Sequence, residues 1–573
     1  MTDRRRIAYF SMEIGLEVGM PTYSGGLGVL AGDTVRAAAD LHVPMAAVTL
    51  LYRKGYFRQR LDPEGRQKEE PVDWVVGNFL KQIPQKVSVT LEGRTVALSA
   101  WKYEAKAADG FVVPVYFLDS DCPENSQEDR KWTHLLYGGD SRYRLCQEII
   151  LGVGGVRLLR ALGLTEADCF HMNEGHAVFL TLELLNEQMK KAGRQSFGSA
   201  EMERVRAQCV FTTHTPVPAG HDKFPMDLVK EVFGSHPLFE MKDGFFPGDL
   251  LNTTTLALHL SRFVNGVSKM HAEVSQKMFP EYKIHSITNG VHAATWTCRP
   301  FQELFEKYVP GWKQENSTLQ FALRIPATEI WQAHQAAKRA LLEYVTHHTL
   351  AEMELNTLTV VFARRFVAYK RPDLLLRDLE QIKQIAHEVG PIQILYAGKA
   401  HPHDEDGKKL LQKVIQTGRQ MRDSIRFAYL EDYDLELGKL LCAGADLWIN
   451  TPQAPMEASG TSGMKAALNG VPSLSVLDGW WAEGHVEGVT GWVIAADGEQ
   501  GNGTDQETKD AEALYKKLRE ASLLYYRHPS RFADVMKHAI ALNGAVFNAQ
   551  RMMQQYLLQA YNREKESIDA SQT

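Results

Sequence analysis

The pattern that most constrains the fold is an alternation of short apolar segments with longer segments of helical character. In the second half of the chain the apolar segments are 358–363, 392–397, 425–430, 446–450 and 473–477. Each is separated from the next by enough residues for a helix. This alternation is typical of a parallel sheet with helices on both faces. It predicts a doubly wound α/β domain, in which ligands bind beyond the carboxyl ends of the strands.

The first half of the chain shows a related pattern. Its candidate strands are 7–10, 113–118, 169–172 and 209–213, and the alternating segment 86–103 predicts an antiparallel hairpin. A chain of 573 residues is too long for a single core. We therefore expect two α/β domains, and we place their bounds at 1–300, 301–545 and 546–573. The last range is a helix at about 545–562 followed by a frayed tail, and 497–508 is expected to be a polar loop.

Composition narrows the class of protein. The chain is 44% hydrophobic and 23% charged, with a net charge of −6, which argues against general affinity for nucleic acid or anionic membranes. No apolar run is long enough to cross a bilayer, and the N-terminus has no signal-peptide core. The six cysteines are scattered without a Cys-x-x-Cys pair, which indicates free thiols rather than disulfides or a zinc site. We expect a cytoplasmic protein with no metal site.

A turn rich in Gly, Ser and Thr precedes Lys465, at the start of an Ala/Leu-rich segment that is predicted to be helical. Such a turn presents backbone N–H groups, and a helix N-terminus adds positive potential, so the site suits a phosphate group. A lysine amine beside a phosphate cradle is what pyridoxal phosphate needs, because the amine forms the Schiff base while the turn holds the phosphate. The alternative is an ordinary helix start with a solvated lysine.

Two other segments are candidate anion sites. A glycine-rich loop at 23–28 is followed by a helical pattern at 29–39, and it could equally be a plain tight turn. Four cations lie within 364–371, directly after a predicted core strand; a solvated loop is the alternative, although Phe366 and Tyr369 would anchor the segment. Polar groups also follow two strands of the first half, at 171–176 and 213–216. These positions are where a doubly wound sheet binds ligands.

The run from Glu457 to Asn469 resembles the signature of the α-glucan phosphorylases nearly position for position, and further matches cover most of the chain. The resemblance implies two facing doubly wound Rossmann-like domains, a GT-B-like fold, with a cleft between them. It implies pyridoxal 5'-phosphate on Lys465 and reversible, retaining phosphorolysis of α-1,4-glucan by inorganic phosphate to glucose 1-phosphate. The cofactor phosphate is then a proton relay. No pair of catalytic carboxylates of the kind that a glycoside hydrolase uses is evident.

The resemblance assigns roles to individual residues. It implies cofactor contacts for Lys465, Gly26, Arg364, Thr461, Ser462, Tyr433 and Trp296, and phosphate contacts for Gly25, Gly26, Arg365 and Lys370. For the sugar it implies His214, Asn289, Glu457, Ser459, Gly460, Asn173, Glu174 and His176. Lys465, Arg365, Lys370 and His214 are the expected catalytic group.

Several positions depart from the family pattern or carry no assigned role. Ser24 replaces the usual asparagine, Arg364 a lysine and Val367 a histidine. Glu13 matches a cleft glutamate whose role does not follow from the sequence. The pair Trp480 and Trp481 would either stack on a glucan or pack in the core.

Two other functions share parts of this pattern. A glycogen-synthase-like glycosyltransferase that uses a nucleotide sugar shares the expected architecture. Such enzymes carry a glutamate where this chain has Lys465, and a lysine where it has Tyr23 and Ser24. A glycan-binding protein without activity would not need Lys465. The chain is also shorter than the regulated members of the family, so their allosteric control is not expected. The oligomeric state stays open, a homo-oligomer included.

Overall fold

The computed structural model describes residues 6–164, 167–217, 220–241, 246–421, 424–495 and 504–562. The predicted frayed tail, 565–573, and residues 497–503 of the predicted polar loop lie outside the described residues. The rest of that loop prediction is wrong, because residues 504–508 form the start of a long helix, Thr504–Arg527. The chain forms two compact units. Unit 1 comprises Met1–Phe57, Pro71–Ile287 and Met552–Thr573, and unit 2 comprises Arg58–Glu70 and Thr288–Arg551. The predicted ranges 1–300, 301–545 and 546–573 stay a prediction about folding domains.

The strands are numbered in chain order. They are β1 Arg6–Ser11, β2 Met45–Leu50, β3 Arg58–Leu61, β4 Gln67–Glu70, β5 Lys81–Leu91, β6 Arg94–Lys106, β7 Val112–Asp119, β8 Ala167–Asn173, β9 Cys209–Thr212, β10 Lys223–Pro225, β11 Leu250–Asn252, β12 Phe263–Gly266, β13 His285–Ser286, β14 Leu358–Ala363, β15 Ile392–Ala397, β16 Arg426–Leu430, β17 Leu447–Asn450, β18 Ser473–Val476 and β19 Gly491–Ile494.

The α-helices are numbered in the same way. They are α1 Gly26–Asp40, α2 Ser141–Ile149, α3 Gly155–Ala161, α4 Phe179–Ala192, α5 Ser199–Arg206, α6 Met226–Phe233, α7 Thr253–His259, α8 Lys269–Met278, α9 Ala293–Trp296, α10 Arg299–Tyr308, α11 Ala327–His348, α12 Leu379–Glu388, α13 Glu405–Gln420, α14 Leu435–Gly444, α15 Ser462–Leu468, α16 Trp481–Gly484, α17 Thr504–Arg527, α18 Pro529–His538 and α19 Ala549–Gln555. No helix among the described residues is both long and apolar enough to cross a membrane.

Unit 1 contains a nine-stranded sheet in the order β13-β12-β9-β8-β1-β2-β7-β6-β5. The strands from β13 to β7 run parallel, and β6 and β5 are added antiparallel at one edge. The predicted hairpin is therefore confirmed as β5 and β6. Strands β1 and β2 are apolar along almost their whole length because helices cover both faces of a parallel sheet.

Unit 2 contains a fully parallel six-stranded sheet in the order β16-β15-β14-β17-β18-β19. The chain order thus reverses between β14 and β17, which is the arrangement of a doubly wound sheet and the place where such sheets bind ligands. The predicted strands of this half are all present, with ends shifted by one residue at most. The segments that leave this reversal point are those after Ala363 and after Asn450.

The C-terminal helix differs from its predicted range of 545–562. Residues Ala539–Gly544 are π-helical, and α19 begins only at Ala549. The last turn, Tyr556–Ala560, is again π-helical. The apolar periodicity could not locate this start, because the segment before α19 binds the turn at residues 288–291: Val291 donates to the Phe547 carbonyl, and Ala549 donates to the Val291 carbonyl.

Candidate active site

Two cations of the 364–371 loop converge on one carboxylate in unit 2. The loop leaves the carboxyl end of β14, and a short turn at Ala368–Lys370 brings Lys370 back to the carboxyl end of the sheet. Arg364 Nη2 donates to Glu457 Oε2 at 2.6 Å, and Lys370 Nζ forms an ion pair with the same oxygen. The next residue, Arg365, is exposed. The structure therefore brings Arg364, Lys370 and Glu457 together, while Arg365 lies at the surface of the unit.

The three charges are buried and shift each other. Burial alone would raise the pKa of Glu457, but the neighbouring Arg364 and Lys370 outweigh it and lower this pKa to about 2. The pKa of Lys370 is lowered, by burial and by Arg364, although Glu457 opposes the shift. Opposite charges in a medium of low polarity attract strongly, so this carboxylate is ionised throughout the physiological range.

Three buried polar atoms at predicted site positions have no hydrogen-bond partner among the described residues. They are Arg364 Nη1, Ser459 Oγ and Asn289 Oδ1. Buried polar groups are nearly always paired in folded proteins, and an unpaired one calls for an explanation. Each of these atoms could therefore be paired by a polar ligand.

Lys465 lies in α15, and its side chain is buried. Its Nζ is 3.9 Å from the centroid of the Trp296 ring. Asn469 holds the two elements together, since its Nδ2 donates to the Lys465 carbonyl at 3.0 Å and to the Trp296 carbonyl at 2.8 Å. An ammonium over an indole face is favourable, and the ring also shields the amine from water. The predicted pair of Lys465 and Trp296 is thus in contact.

The turn before α15 and the first residues of this helix are small for steric reasons. Gly460 has φ of +81°, a conformation that favours glycine. A Cβ at Gly463 would lie 2.7 Å from Trp480 Cζ2. Ser462 Oγ accepts from Trp448 Nε1 at 3.1 Å, and the carbonyl of Thr461 accepts the Lys465 N–H at 3.3 Å.

These residues fit pyridoxal phosphate in the chemistry of their donors. A buried amine follows a turn of small residues, and Arg364 offers an unpaired N–H group for a phosphate. Tyr433, predicted to line the same pocket, is half-buried and packs near Gly438, where an added Cβ would meet its hydroxyl at 3.0 Å. No group of three or more His, Cys, Asp or Glu side chains in the described part of the chain is arranged to hold a metal ion.

The Asn289 turn is clamped by the segment that follows the π-helix. Arg551 donates to the carbonyls of Thr288 and Asn289, and the Thr288 hydroxyl donates to Glu483 at 2.9 Å. A Cβ at Gly290 would lie 2.1 Å from the Asn548 carbonyl oxygen. The turn is therefore fixed on its backbone side, which leaves the Asn289 side chain for a ligand.

In unit 1 a glutamate caps the glycine-rich loop. Glu13 Oε2 accepts the N–H groups of Ser24 at 2.6 Å and Gly25 at 3.2 Å, and Tyr137 donates to Oε1 at 2.9 Å. Helix α1 begins directly afterwards at Gly26. The Ser24 hydroxyl also donates to the Glu13 carboxylate, at 3.2 Å from either oxygen. Any anion that takes the predicted Gly25 donor has to replace this carboxylate.

His214 is held on two sides by the last residue of β8, Asn173, and the residue after it, Glu174. Its N–H donates to Glu174 Oε2 at 2.7 Å, and its Nε2 is 2.6 Å from Asn173 Oδ1. Since Asn173 Nδ2 donates to Ser11 at 3.0 Å, its Oδ1 is the acceptor and the proton lies on Nε2. Burial lowers the pKa of His214 to about 3, so the ring is neutral at pH 7. Nδ1 is left as an acceptor for a hydroxyl group.

The other histidine of the predicted sugar-binding set, His176, belongs to a separate polar cluster. His176 Nε2 is 3.3 Å from Asp222, which also accepts from Arg144 at 2.9 Å. The Arg144 guanidinium lies 4.6 Å from the centre of the Tyr137 ring, and Tyr137 contacts Glu13. His176 therefore connects to Glu13 at the glycine-rich loop through Asp222, Arg144 and Tyr137. None of these three residues lies in a sequence motif named above.

Sequence reasoning missed several members of the site and left one question open. Asp478, just after β18, accepts the N–H of Glu457 at 2.9 Å, and its position after a strand was the available signal. Glu483 and Arg551 carried no signal, because they act on backbone and hydroxyl groups far away in the sequence. Trp480 and Trp481 are both buried, which supports core packing over stacking on a glucan.

Comparison with known proteins places this geometry in a family. The model of the carbohydrate phosphorylases matches residues 248–556. The chain is 38% identical to maltodextrin phosphorylase of Thermococcus litoralis, over 97% of this chain and 70% of the relative. It is 37% identical to glycogen phosphorylase of Mycobacterium tuberculosis over the same shares, and 34% identical to that of Aquifex aeolicus over 98% and 87%.

The matched region contains the Asn289 turn, the 364–371 loop and the segment that ends in Lys465. It also contains the complete parallel sheet of unit 2, whose reversal point carries the converging charges. Fold, site and similarity therefore agree, and the chain belongs to the carbohydrate phosphorylase family.

Proposed function

We propose that this chain is an α-1,4-glucan phosphorylase that depends on pyridoxal 5'-phosphate. Inorganic phosphate cleaves the terminal α-1,4 bond of a glycogen-like or maltodextrin chain and yields glucose 1-phosphate with retained configuration. The observation that carries the proposal is the convergence of Arg364 and Lys370 on Glu457, eight residues before a buried lysine. Relatives named maltodextrin and glycogen phosphorylase support the substrate class.

Lys465 would hold the cofactor, with Trp296 against its amine and Thr461, Ser462 and Arg364 around the phosphate. When bound, pyridoxal phosphate supplies a phosphate group that exchanges a proton with the substrate phosphate. The buried setting of Lys465 supports this role, because it excludes water from the amine.

The cations serve the substrate phosphate. Arg365 and Lys370 would bind it, and Gly25 and Gly26 would add backbone donors. A phosphate dianion in a site of low polarity needs several charge-assisted bonds, each contributing about 1.5–3 kcal/mol. The bound phosphate gives a proton to the glycosidic oxygen and then attacks the anomeric carbon. The side chains of the protein therefore act mainly by positioning this phosphate and neutralising its charge.

The sugar ring requires groups that bond to hydroxyls. Asn289 Oδ1 and Ser459 Oγ are unpaired and suited to this, and Glu457 is a strong acceptor. In unit 1, His214 would accept a hydroxyl through Nδ1, while Asn173 and Glu174 hold the histidine in place. His176 and Gly460 complete the proposed set.

The comparisons give no support to the nucleotide-sugar alternative, since the relatives that they name are phosphorylases. The cytoplasmic location and the oligomeric state remain predictions. The direct test incubates the purified protein with maltodextrin and inorganic phosphate and measures glucose 1-phosphate. Release of free glucose without glucose 1-phosphate, or a requirement for a nucleotide sugar, would contradict the proposal.

Lys465→Ala tests the cofactor site. The variant is expected to lose the visible and near-ultraviolet absorbance of bound pyridoxal phosphate and all phosphorolysis, because no other amine replaces Lys465. Intact mass after borohydride reduction should show the cofactor on the unaltered protein and not on the variant. Lys383→Ala, at an exposed ion pair with Glu380, is the control and should keep both. A fully loaded, active Lys465→Ala variant would rule out this attachment.

A further inference from the structure

The β3–β4 hairpin is part of unit 2, although the chain before and after it belongs to unit 1. It is attached to the segment after β16 at Asp432. The Oδ1 of Asp432 accepts the Gln59 N–H, and the Asp432 N–H donates to Gln59 Oε1, both at 3.0 Å. A two-stranded hairpin is barely stable by itself in water, so its order depends on the surface that it covers.

The hairpin is held by polar rather than apolar side chains. Within β3 and β4, which are fully described, only Gln59 and Gln67 are buried. Burial of apolar side chains is the dominant favourable contribution to folding, whereas a hydrogen bond adds little net stability and depends strongly on direction. A hairpin that only stabilised the fold would cover unit 2 with apolar residues. Two buried amides instead fix the position of the groups that they bind.

Both glutamines bind the backbone of residues 398–400, the segment that follows β15. The Ala400 N–H donates to Gln67 Oε1 at 3.0 Å, and Gln67 Nε2 donates to the Ala400 carbonyl at 2.9 Å. Gln59 Nε2 donates to the Gly398 carbonyl and to Gln67 Oε1, both at 2.9 Å. The two amides therefore act as one unit that holds this segment at both of its ends.

The same segment pairs with the start of the 364–371 loop. The Arg364 N–H donates to the last carbonyl of β15 at 3.2 Å, and the Phe366 N–H donates to the Lys399 carbonyl at 3.0 Å. Gly398 has φ of +140°, and a Cβ there would lie 1.9 Å from the Arg364 carbonyl oxygen. The two backbones are thus in direct contact, so a shift of the segment would shift the start of the loop.

Arg365 stands between these two backbone bonds. Phe366 is buried, whereas Arg365 is exposed. The far end of the loop is held by other groups, since the Gln453 N–H donates to the Tyr369 carbonyl at 2.7 Å and the Thr451 hydroxyl donates to the Lys370 carbonyl at 3.0 Å. The contacts of the hairpin therefore lead to Arg365 and not to Lys370.

We propose that the β3–β4 hairpin positions the start of the 364–371 loop for the substrate phosphate, with Gln59 and Gln67 as positioning residues. Their amides hold residues 398–400, which hold the backbone on both sides of Arg365. The guanidinium then reaches the phosphate from a fixed origin, and a small displacement of such a group lowers the rate steeply. This role rests on the proposed function and adds to it an element that contacts neither substrate.

Gln67→Met tests the role by keeping the length of the side chain and removing its hydrogen bonds. The KM for phosphate is expected to rise about tenfold, the value of one charge-assisted hydrogen bond. The KM for maltodextrin and the cofactor absorbance should not change. A purely structural role would lower the amount of active protein and leave both KM values unchanged. Gln384→Met, at an exposed glutamine bonded to Glu388, is the matched control and should behave as the unaltered protein does.

Double variants identify the residue through which the hairpin acts. In an Arg365→Ala background, Gln67→Met should not raise the KM for phosphate further, because the positioned group is already missing. In a Lys370→Ala background it should raise this KM by the same factor as in the unaltered protein, because independent sites add.

Hydrogen exchange measured by mass spectrometry gives a readout that does not depend on activity. Without substrates, Gln67→Met should speed the exchange of the Arg364 and Phe366 amides, whose acceptors lie on the segment that the hairpin holds. Exchange at Lys370 should stay as in the unaltered protein.

Two results would overturn the inference. One is a folded Gln67→Met variant with an unchanged KM for phosphate, and the other is an equal rise of this KM in the Arg365→Ala background. If Gln67→Met does not fold, Gln59→Met makes the same test at the other amide. An unaltered protein that forms no glucose 1-phosphate from maltodextrin and phosphate is a different result, which would overturn the proposed function itself.

Discussion

Asp478 is a buried carboxyl group that holds the backbone of the candidate site. Its two oxygens accept the N–H groups of Glu457 and Gly479. Burial raises its pKa to about 7; the two N–H bonds oppose this shift, and the negative charge of Glu457 adds to it. Asp478 therefore changes charge near neutral pH. It does so beside Glu457, which contacts Arg364 and Lys370.

The raised pKa of Asp478 predicts a pH dependence of stability. From about pH 4 to pH 7 the folded protein binds a proton at Asp478 that the unfolded chain releases, so this residue lowers stability as the pH rises through that window. The full effect is a few kcal/mol, reached above pH 7. Asp478→Asn removes it, so the Tm of the variant should rise relative to the unaltered protein between pH 5 and pH 8.

The control for that comparison is Asp406→Asn, an exposed carboxylate paired with Lys409. Its Tm should follow the unaltered protein at every pH. A constant difference in Tm between Asp478→Asn and the unaltered protein across the range would contradict the assignment.

Alanine substitutions of Arg365 and Lys370 test whether the 364–371 loop binds the substrate phosphate. Each change to alanine is expected to lower kcat/KM for phosphorolysis by about 10²–10³-fold, the usual loss for one preorganised electrostatic donor. Cofactor absorbance should be retained, which separates this effect from loss of the cofactor. Near-normal turnover of either variant would show that the loop does not bind the substrate phosphate. Lys383→Ala serves as the exposed control.

At the scale of elements, the reversal point between β14 and β17 explains why distant segments meet. The 364–371 loop and the segment that carries Glu457 leave the carboxyl ends of two neighbouring strands of one sheet. Parallel pairing of the two strands fixes the distance between these segments. The cations of the 364–371 loop therefore lie beside the Glu457 carboxylate. The site is thus a property of the sheet order as much as of the motifs.

The contact between the Asn289 turn and the segment before α19 can be tested at Gly290. A Cβ there would lie 2.1 Å from the Asn548 carbonyl, and backbone cannot give way as a flexible side chain would. Gly290→Ala should destabilise the protein by about 1–3 kcal/mol, seen as a lower Tm, and should weaken saccharide binding. Gly77→Ala is the control, because an added Cβ there meets nothing within 4 Å. An unchanged Tm for Gly290→Ala would contradict the close contact.

At the scale of the whole molecule, residues 552–562 belong to unit 1 although they follow unit 2 in the sequence. Tyr561 hydroxyl is 2.7 Å from His171 Nδ1, and Tyr556 hydroxyl is 3.0 Å from Thr212 Oγ1. Arg262 also donates to the Ala560 carbonyl at 2.5 Å. Tyr556 and Tyr561 therefore bond to side chains on β9 and β8 of the first sheet.

A chain that ends at Arg551 should be clearly less stable than one that ends at Asn562. The shorter chain removes Tyr561 from His171 Nδ1, and a buried group left unpaired in this way costs about 1–3 kcal/mol. Thr212 Oγ1 loses Tyr556 but keeps His171 and Asn265. Differential scanning calorimetry of both chains provides the comparison. Equal Tm values would show that the terminal tyrosines contribute nothing to unit 1.

Much of the fold follows from local patterns. Five strands of the six-stranded sheet and the β5–β6 hairpin were predictable because their apolar periodicity is set by burial of one face or both. The sixth strand, β19, and the pair β3–β4 were not predicted. The position of α19 was not, since a π-helical turn and pairing with the turn at residues 288–291 decide it. Site residues within continuous motifs, such as Lys465 and Glu457, could be named because spacing carries their chemistry.

The sequence by itself determined the alternation that builds a parallel sheet, the small residues of the turn before Lys465 and the cations after β14. Only the tertiary structure decided that Arg364 and Lys370 share Glu457, that Asp478 holds its backbone and that Glu13 caps the glycine-rich loop. The physical reason is that these contacts join residues distant in the chain. Their energies depend on burial and on distances of a few ångströms, which no local pattern encodes.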